Sequence, residues 1–239
     1  MFERPDGRKN DELRPVTIKV DFLKNPLSSV LIDLGNTRVL CTASMEEKVP
    51  PFLKGTGTGW ITAEYAFIPG ATSERTPREV MGRKGRSMEI QRLIGRVLRG
   101  VVDLAKLGER TIWLDCEVLN ADGGTRTAAL TGAFVALRLA IKRLIERGIL
   151  EEDPIIEEVA GISVGKIGDD FLLDLCFEED IVAEVDANFF MTSSGKIIEI
   201  QAAAEKAPFT WDELEKMKDL AFKGIKELIE KQREVLENE

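Results

Sequence analysis

The sequence predicts an α+β fold: mixed β-sheets packed with helices in a single domain over residues 1–239. Three observations lead there. Short runs of alternating apolar and polar residues recur in both halves, as half-buried strands require. Two internal segments and a C-terminal one switch to helical spacing instead. No low-complexity linker or internal repeat divides the 239 residues, and that length supports one substantial core.

Taken in order, residues 1–15 are polar, with Pro5-Asp6-Gly7 reading as a turn. Val16–Asp21, Ser28–Leu34 and Arg38–Ser44 read as strands, the last two joined through Gly35-Asn36. Lys48–Gly59 is a loop rich in Pro and Gly, and an extended run resumes at Trp60–Ile68. A polar loop over Pro69–Gly85 carries Arg75, Arg78 and Arg83, with Arg86 just beyond it. The spacing of Ile90, Leu93, Ile94, Val97, Leu98, Val101 and Val102 predicts a helix over Ser87–Leu107, ended by Gly108. Thr111–Leu119 reads as a strand and Ala128–Arg147 as a helix, on Leu130, Phe134, Leu137, Ile141 and Leu144. Two hairpins follow, Val159–Ile167 with Phe171–Phe177 and Ile181–Met191 with Lys196–Ala204. The last helix opens on a capping box, Thr210-Trp-Asp-Glu213.

Composition removes several kinds of chemistry. The chain has no histidine, which excludes His-based triads, His general bases and His-ligated metals. Its three cysteines, Cys41, Cys116 and Cys176, are far apart in apolar strand-like runs and read as buried reduced thiols. Any bound metal is then a hard cation on oxygen ligands. No apolar run reaches the roughly 20 residues of a membrane span, and the first residues carry no signal-peptide core. A cytoplasmic protein without membrane contact is the expectation. The net charge is −9, yet residues 75–110 hold ten Lys/Arg against four acids. A polyanion meets that local field rather than the global sum.

Two constellations carry chemistry. In the first, Asp122-Gly-Gly-Thr-Arg126 lies between a strand end and a helix start. Open N–H groups and the helix dipole attract anions there; glycines admit close approach, Thr125 donates a hydroxyl, and Arg126 can bind bidentately. A plain strand-to-helix turn with a Thr cap remains the alternative. The second is the acidic stretch from Phe177 to Asn188. On a strand, Glu178, Asp180, Val182, Glu184 and Asp186 share one face, a repulsive arrangement that a Mg²⁺ or Mn²⁺ ion explains. The alternative is an acidic, solvent-facing edge strand. Arg92, Arg96 and Arg99 line one helix face, as an RNA contact or a solvated basic surface. Together these features describe phosphoryl or nucleotidyl transfer on a polyanion.

Arg4-Pro-Asp-Gly-Arg8, Trp60-Ile-Thr-Ala-Glu-Tyr65, Glu89-Ile-Gln-Arg92, Ala121-Asp-Gly-Gly-Thr-Arg-Thr-Ala128 and Glu178-Glu-Asp180 with Val185-Asp186 and Asn188 stand in this order. They closely resemble the bacterial ribonuclease PH family, from Arg4 to the last helix. The resemblance implies a ribonuclease PH-like fold and a phosphate-dependent 3′-to-5′ exoribonuclease that trims tRNA precursors and other RNAs. Nucleoside diphosphates are released, and nucleotide addition is the reverse reaction. It implies inorganic phosphate as co-substrate at Arg86, Gly124, Thr125 and Arg126, and Mg²⁺ or Mn²⁺ at Asp180 and Asp186. It also implies a homo-oligomer, a hexamer built as a trimer of dimers. Gly70, Ala187, Ala202 and Ala203 depart from the family's usual residues, and none is among the implied phosphate or metal ligands. Other readings of the same residues are an archaeal exosome-type phosphorolytic subunit, a catalytically silent RNA-binding ring subunit, and a hydrolytic nuclease.

Overall fold

Alternating burial marks four of the five strands of the first sheet, while Ser28–Leu34 is buried on both faces. The computed structural model describes residues 2–78 and 85–237, so Arg83 and its neighbours in the arginine-rich loop lie outside the described residues. Strands β1 (Val16–Val20), β2 (Ser28–Leu34), β3 (Thr37–Glu46), β4 (Trp60–Phe67) and β5 (Thr111–Asn120) form a five-stranded sheet in the order β1-β2-β3-β5-β4. All its pairings are antiparallel except β4 with β5. A parallel pair needs a crossover, here supplied by helix α1 (Gly85–Arg99) packed on β4. The second sheet, β6 (Val159–Ile167), β7 (Asp170–Leu173), β8 (Val185–Thr192) and β9 (Ile197–Ala204), is antiparallel in the order β7-β6-β8-β9.

Helix α2 (Thr125–Glu146) packs on β2, β3 and β5 of the first sheet and on β6 of the second. Covered on both sides, it is buried well beyond the single apolar stripe that the sequence suggests. Its small residues permit this. A Cβ on Gly132 would lie 2.8 Å from the Ile32 side chain and 2.9 Å from the Cys41 sulfur. Helix α4 (Trp211–Leu236) covers β6 and β8, and its capping box forms between Thr210 and Glu213. Cys41 and Cys116 face each other across β3 and β5, and all three thiols are free and buried.

The structure corrects three readings. The predicted helix over Ser87–Leu107 stops at Arg99, and a separate 3₁₀ turn spans Leu104–Leu107. The backbone between them pairs with 154–156: Asp103 N–H donates to Pro154 and Ile156 N–H to Val101. The predicted helix over Ala128–Arg147 begins earlier, at Thr125, directly after the double glycine. The third correction concerns the acidic stretch. The predicted strands over Phe171–Phe177 and Ile181–Met191 give way between them to a short helix, α3 (Phe177–Val182). Cys176, expected in a strand, is its N-cap, and the Cys176 N–H donates to the Glu179 carboxylate at 2.9 Å. Glu178, Glu179 and Asp180 thus sit in the first helical turn, where the dipole favours negative charge. They share no strand face with Asp186, which lies on β8.

Candidate active site

The end of β5, the start of α2, the start of α1 and helix α3 converge on one cleft of about 660 Å³. Arg86, Gly123, Gly124, Thr125, Phe177 and Asp180 are in its wall, with Tyr65 behind them. The phosphate loop is held by two consecutive left-handed residues, Gly123 (φ 73°) and Gly124 (φ 63°). Gly123 tolerates no side chain: a Cβ would sit 2.5 Å from the Leu175 carbonyl oxygen and 2.7 Å from the Cys176 carbonyl carbon. The loop therefore lies directly on the chain that enters α3. The Asp122 carboxylate adds a bond across this seam, accepting the Phe177 N–H at 3.2 Å.

Thr125 is nearly buried, and the Tyr65 hydroxyl donates to its Oγ1 at 2.8 Å. Burial pushes the Tyr65 phenol well above its usual range, so it remains a donor. With one lone pair taken by Tyr65, the Thr125 hydroxyl keeps its own proton for an acceptor in the cleft. Arg126 donates through Nη1 to Gln201 on β9 at 2.6 Å, and the same nitrogen is 3.5 Å from Glu89 on α1. That anchoring uses one nitrogen of a guanidinium fork that carries five donors.

The carboxylates respond to the same surroundings. Burial pushes the Asp180 carboxyl up, while the Arg86 and Arg126 charges pull it down. Asp186 is raised to about 6, by burial first and by Asp180 second, against the pull of Arg126 and the Asn188 amide. Two oxygen donors with elevated proton affinity at one site fit a hard divalent ion. Among the described residues no cluster of three or more metal-ligating side chains exists. That donor set suits Mg²⁺ or Mn²⁺, which keep waters and take further oxygens from substrate phosphates.

A stability consequence follows. The Asp186 pKa in the folded chain lies above its ordinary 3.8. Stability from this group is therefore full below pH 3.8 and is lost as pH rises through about 6. Asp186→Asn removes the ionisable group. In metal-free protein it is expected to raise stability above pH 6 by up to about 3 kcal/mol. The gain should shrink as pH falls toward 4. Urea melts of both proteins in EDTA at pH 7.5 and 4.5 check this.

Of the residues read from the sequence, Arg86, Gly124, Thr125 and Asp180 line the cleft, and Arg126 and Asp186 adjoin it. The arginine row of α1 is not part of that wall. Arg92 is exposed. Arg96 pairs with Glu199 through two short bonds. Arg99 stacks 4.1 Å over the Trp60 ring and donates to the Ile61 carbonyl.

Sequence reasoning missed Arg4, Arg14, Asp174, Glu179 and Gln201 as supports. Arg4 forms a buried bidentate pair with Glu179 and reaches the carbonyls of Leu173 and Asp174, which fixes α3 and the Asp180 it carries. The Arg4-Pro-Asp-Gly-Arg8 motif was a usable signal for it. Asp174, one charge inside an apolar run, was another.

This fold and cleft define a class that comparison with known proteins identifies. Residues 12–142 match the 3′ exoribonuclease family, domain 1, and residues 157–224 match its domain 2. Among solved structures, an Archaeoglobus fulgidus exosome with RNA bound to the active site superposes with a TM-score of 0.80 at 23% identity. It covers 96% of this chain and 92% of that one. Rice (Oryza sativa) Rrp46 gives a TM-score of 0.76 at 18% identity, covering 96% and 98%. These two establish likeness of fold. Much nearer in sequence is ribonuclease PH of Bacillus subtilis, 57% identical over 236 residues, 98% of this chain and 96% of that protein. Ribonuclease PH of Bacillus velezensis is 56% identical over the same shares. The chain belongs to the ribonuclease PH family of 3′ exoribonucleases. It is a phosphorolytic 3′-to-5′ exoribonuclease, an enzyme of the nucleotidyltransferase type.

Proposed function

We propose that inorganic phosphate binds over Gly124 and Thr125 between Arg86 and Arg126, and attacks the terminal phosphodiester of an RNA whose 3′ end lies beside Asp180. The observation that carries this reading is the seam itself. The start of α2 and the α3 carboxylate Asp180, about 55 residues apart in sequence, are held at one cleft by the close contacts of Gly123 and Asp122 with residues 175–177. Phosphate is already a competent nucleophile, so the lack of histidine is no obstacle. What it needs is positive charge beside a second anion, and Arg86, Arg126 and the Thr125 hydroxyl supply it. A phosphate oxygen forms a bond to the scissile phosphorus, and the bond from that phosphorus to the penultimate 3′ oxygen breaks. The 3′ oxygen takes up a proton, and a nucleoside 5′-diphosphate leaves. Asp180 and Asp186 would hold a divalent ion, which would supply positive charge against the negative charge that builds up during the transfer.

The substrates in this reading are 3′-extended tRNA precursors, with Arg92, Arg96 and Arg99 as more distant RNA contacts. Arg92 and Arg96 are exposed on the outer side of α1, which suits contact with phosphates beyond the cleft. The chain works as a single structural unit in the cytoplasm and assembles as a hexamer, a trimer of dimers. One hydrophobic cluster running through both sheets supports the single unit. Large exposed apolar side chains such as Phe52, Ile156 and Trp211 are surface that an assembly would cover. No helix among the described residues is long and apolar enough to cross a membrane.

The test uses a 3′-extended tRNA and an unstructured RNA, each with Mg²⁺, with and without phosphate. Phosphate-dependent shortening that halts near the mature tRNA end supports the reading. Shortening that ignores phosphate refutes it.

A further inference from the structure

We propose that Arg14, held by Asp174, is a positioning residue for phosphate: it turns the carbonyl groups of the phosphate loop away from the anion site. This inference rests on the phosphate site placed at Gly124–Arg126 above. Asp122 and Gly123 each have a carbonyl group that repels phosphate if it faces the cleft. Both are engaged elsewhere. Arg14 Nη1 donates to the Asp122 carbonyl at 2.5 Å, and Nη2 lies 3.5 Å from the Gly123 carbonyl. The Thr37 hydroxyl donates to that same Gly123 carbonyl at 2.6 Å and accepts the Asp122 N–H at 3.0 Å. With these carbonyls engaged on the far side, the open N–H groups at the start of α2 are left to face the cleft.

Arg14 itself has little freedom. It is buried, and Asp174 accepts its backbone N–H at 2.8 Å, its Nε at 3.0 Å and its Nη2 at 2.7 Å. Asp174 is fully buried in a left-handed conformation (φ 57°), where the chain turns out of β7 toward α3. Space for the arginine is reserved on two sides. A Cβ on Gly35 would meet the Arg14 Cδ at 2.6 Å, and one on Gly124 would meet Nη2 at 3.0 Å. The guanidinium therefore bridges β7, the loop after β5 and the N-terminal arm, immediately behind the peptide groups that receive the anion. It backs the wall residues Gly123 and Gly124 without itself lining the cleft. Its removal should therefore be felt by phosphate and not by RNA.

Two variants separate positioning from folding. Arg14→Lys keeps the charge but has one ammonium, which cannot span Asp174 and the Asp122 carbonyl as the fork does. The double variant Arg14→Met with Asp174→Asn removes both buried charges together and keeps a residue that tolerates the left-handed backbone. Phosphorolysis is measured by titrating phosphate at saturating RNA and RNA at saturating phosphate, alongside melting with and without phosphate. Both variants should raise the phosphate KM about tenfold or more, change the RNA KM less than about twofold, and lose phosphate-induced stabilisation. A wild-type phosphate KM in Arg14→Lys overturns the proposal, and so does an equal rise in both KM values. Arg126→Ala serves as the reference. If it keeps the wild-type phosphate KM, the placement of the phosphate site itself fails. If Arg126→Ala is impaired and Arg14→Lys is not, only the positioning role of Arg14 falls.

Discussion

Arg126→Ala is expected to cut phosphorolysis by about 10²–10³-fold while leaving the fold intact, the scale of losing one preorganised donor to a developing anion. The side chain is 20% exposed and anchored through one nitrogen, on Gln201 and near Glu89, outside the hydrophobic core. Melting temperature should therefore hardly move. Its charge also pulls down both Asp180 and Asp186. The variant's carboxylates should accordingly hold protons more tightly, and the residual rate should fall more steeply below pH 7 than in the wild type. Turnover against phosphate concentration at several pH values, together with thermal melts of both proteins, measures all three. A fully active Arg126→Ala chain at limiting phosphate would remove Arg126 from the site.

Asp180→Asn and Asp186→Asn are the second pair of large effects. Each should lower Mg²⁺-dependent turnover by about 10³-fold or more, equivalent to about 4 kcal/mol of transition-state stabilisation. RNA affinity measured in EDTA should stay within about twofold, because neither carboxylate attracts a polyanion without metal. Loss of folding cannot account for the Asp186 result, since Asn is expected to stabilise the metal-free chain at neutral pH. Unchanged rates in both variants would refute the metal role. Below pH 6 the Asp186 proton competes with the ion in the wild type, so apparent Mg²⁺ affinity should weaken as pH falls.

Much of this site is legible in the sequence, for physical reasons. Gly123 and Gly124 between an alternating run and a helical one leave few geometries besides a strand-to-helix anion loop. Most predicted strands appear within a residue or two at their ends, and Val159–Ile167 and Ser28–Leu34 match at both ends, whereas the predicted Phe171–Phe177 ends four residues late and the predicted Ile181–Met191 starts four early. What failed is equally instructive. Alternation of acids from Glu178 to Asp186 mimics a strand, yet Glu179 is drawn to the Cys176 N–H and to Arg4, some 175 residues away, and closes a helix instead. Asp180 still acts electrostatically on Asp186, from a helix and a strand rather than from one face. Likewise the stripe on α1 continues past Arg99 in sequence but not in space, because residues 101–103 pair with 154–156. Local periodicity cannot register such long-range partners. The same blindness hid Arg14 and Asp174, whose roles exist only once three distant segments are brought together.

The most direct measurement follows the phosphate that attacks. Labelled inorganic [³²P]phosphate is supplied with Mg²⁺, unlabelled RNA carrying a single-stranded 3′ tail, and the intact enzyme. Recovery of the label in the β-phosphate of released nucleoside diphosphates, abolished by Arg126→Ala, is the expected result. Release of unlabelled nucleoside monophosphates would contradict phosphate as the nucleophile and, with it, the assignment of the Gly124–Arg126 loop.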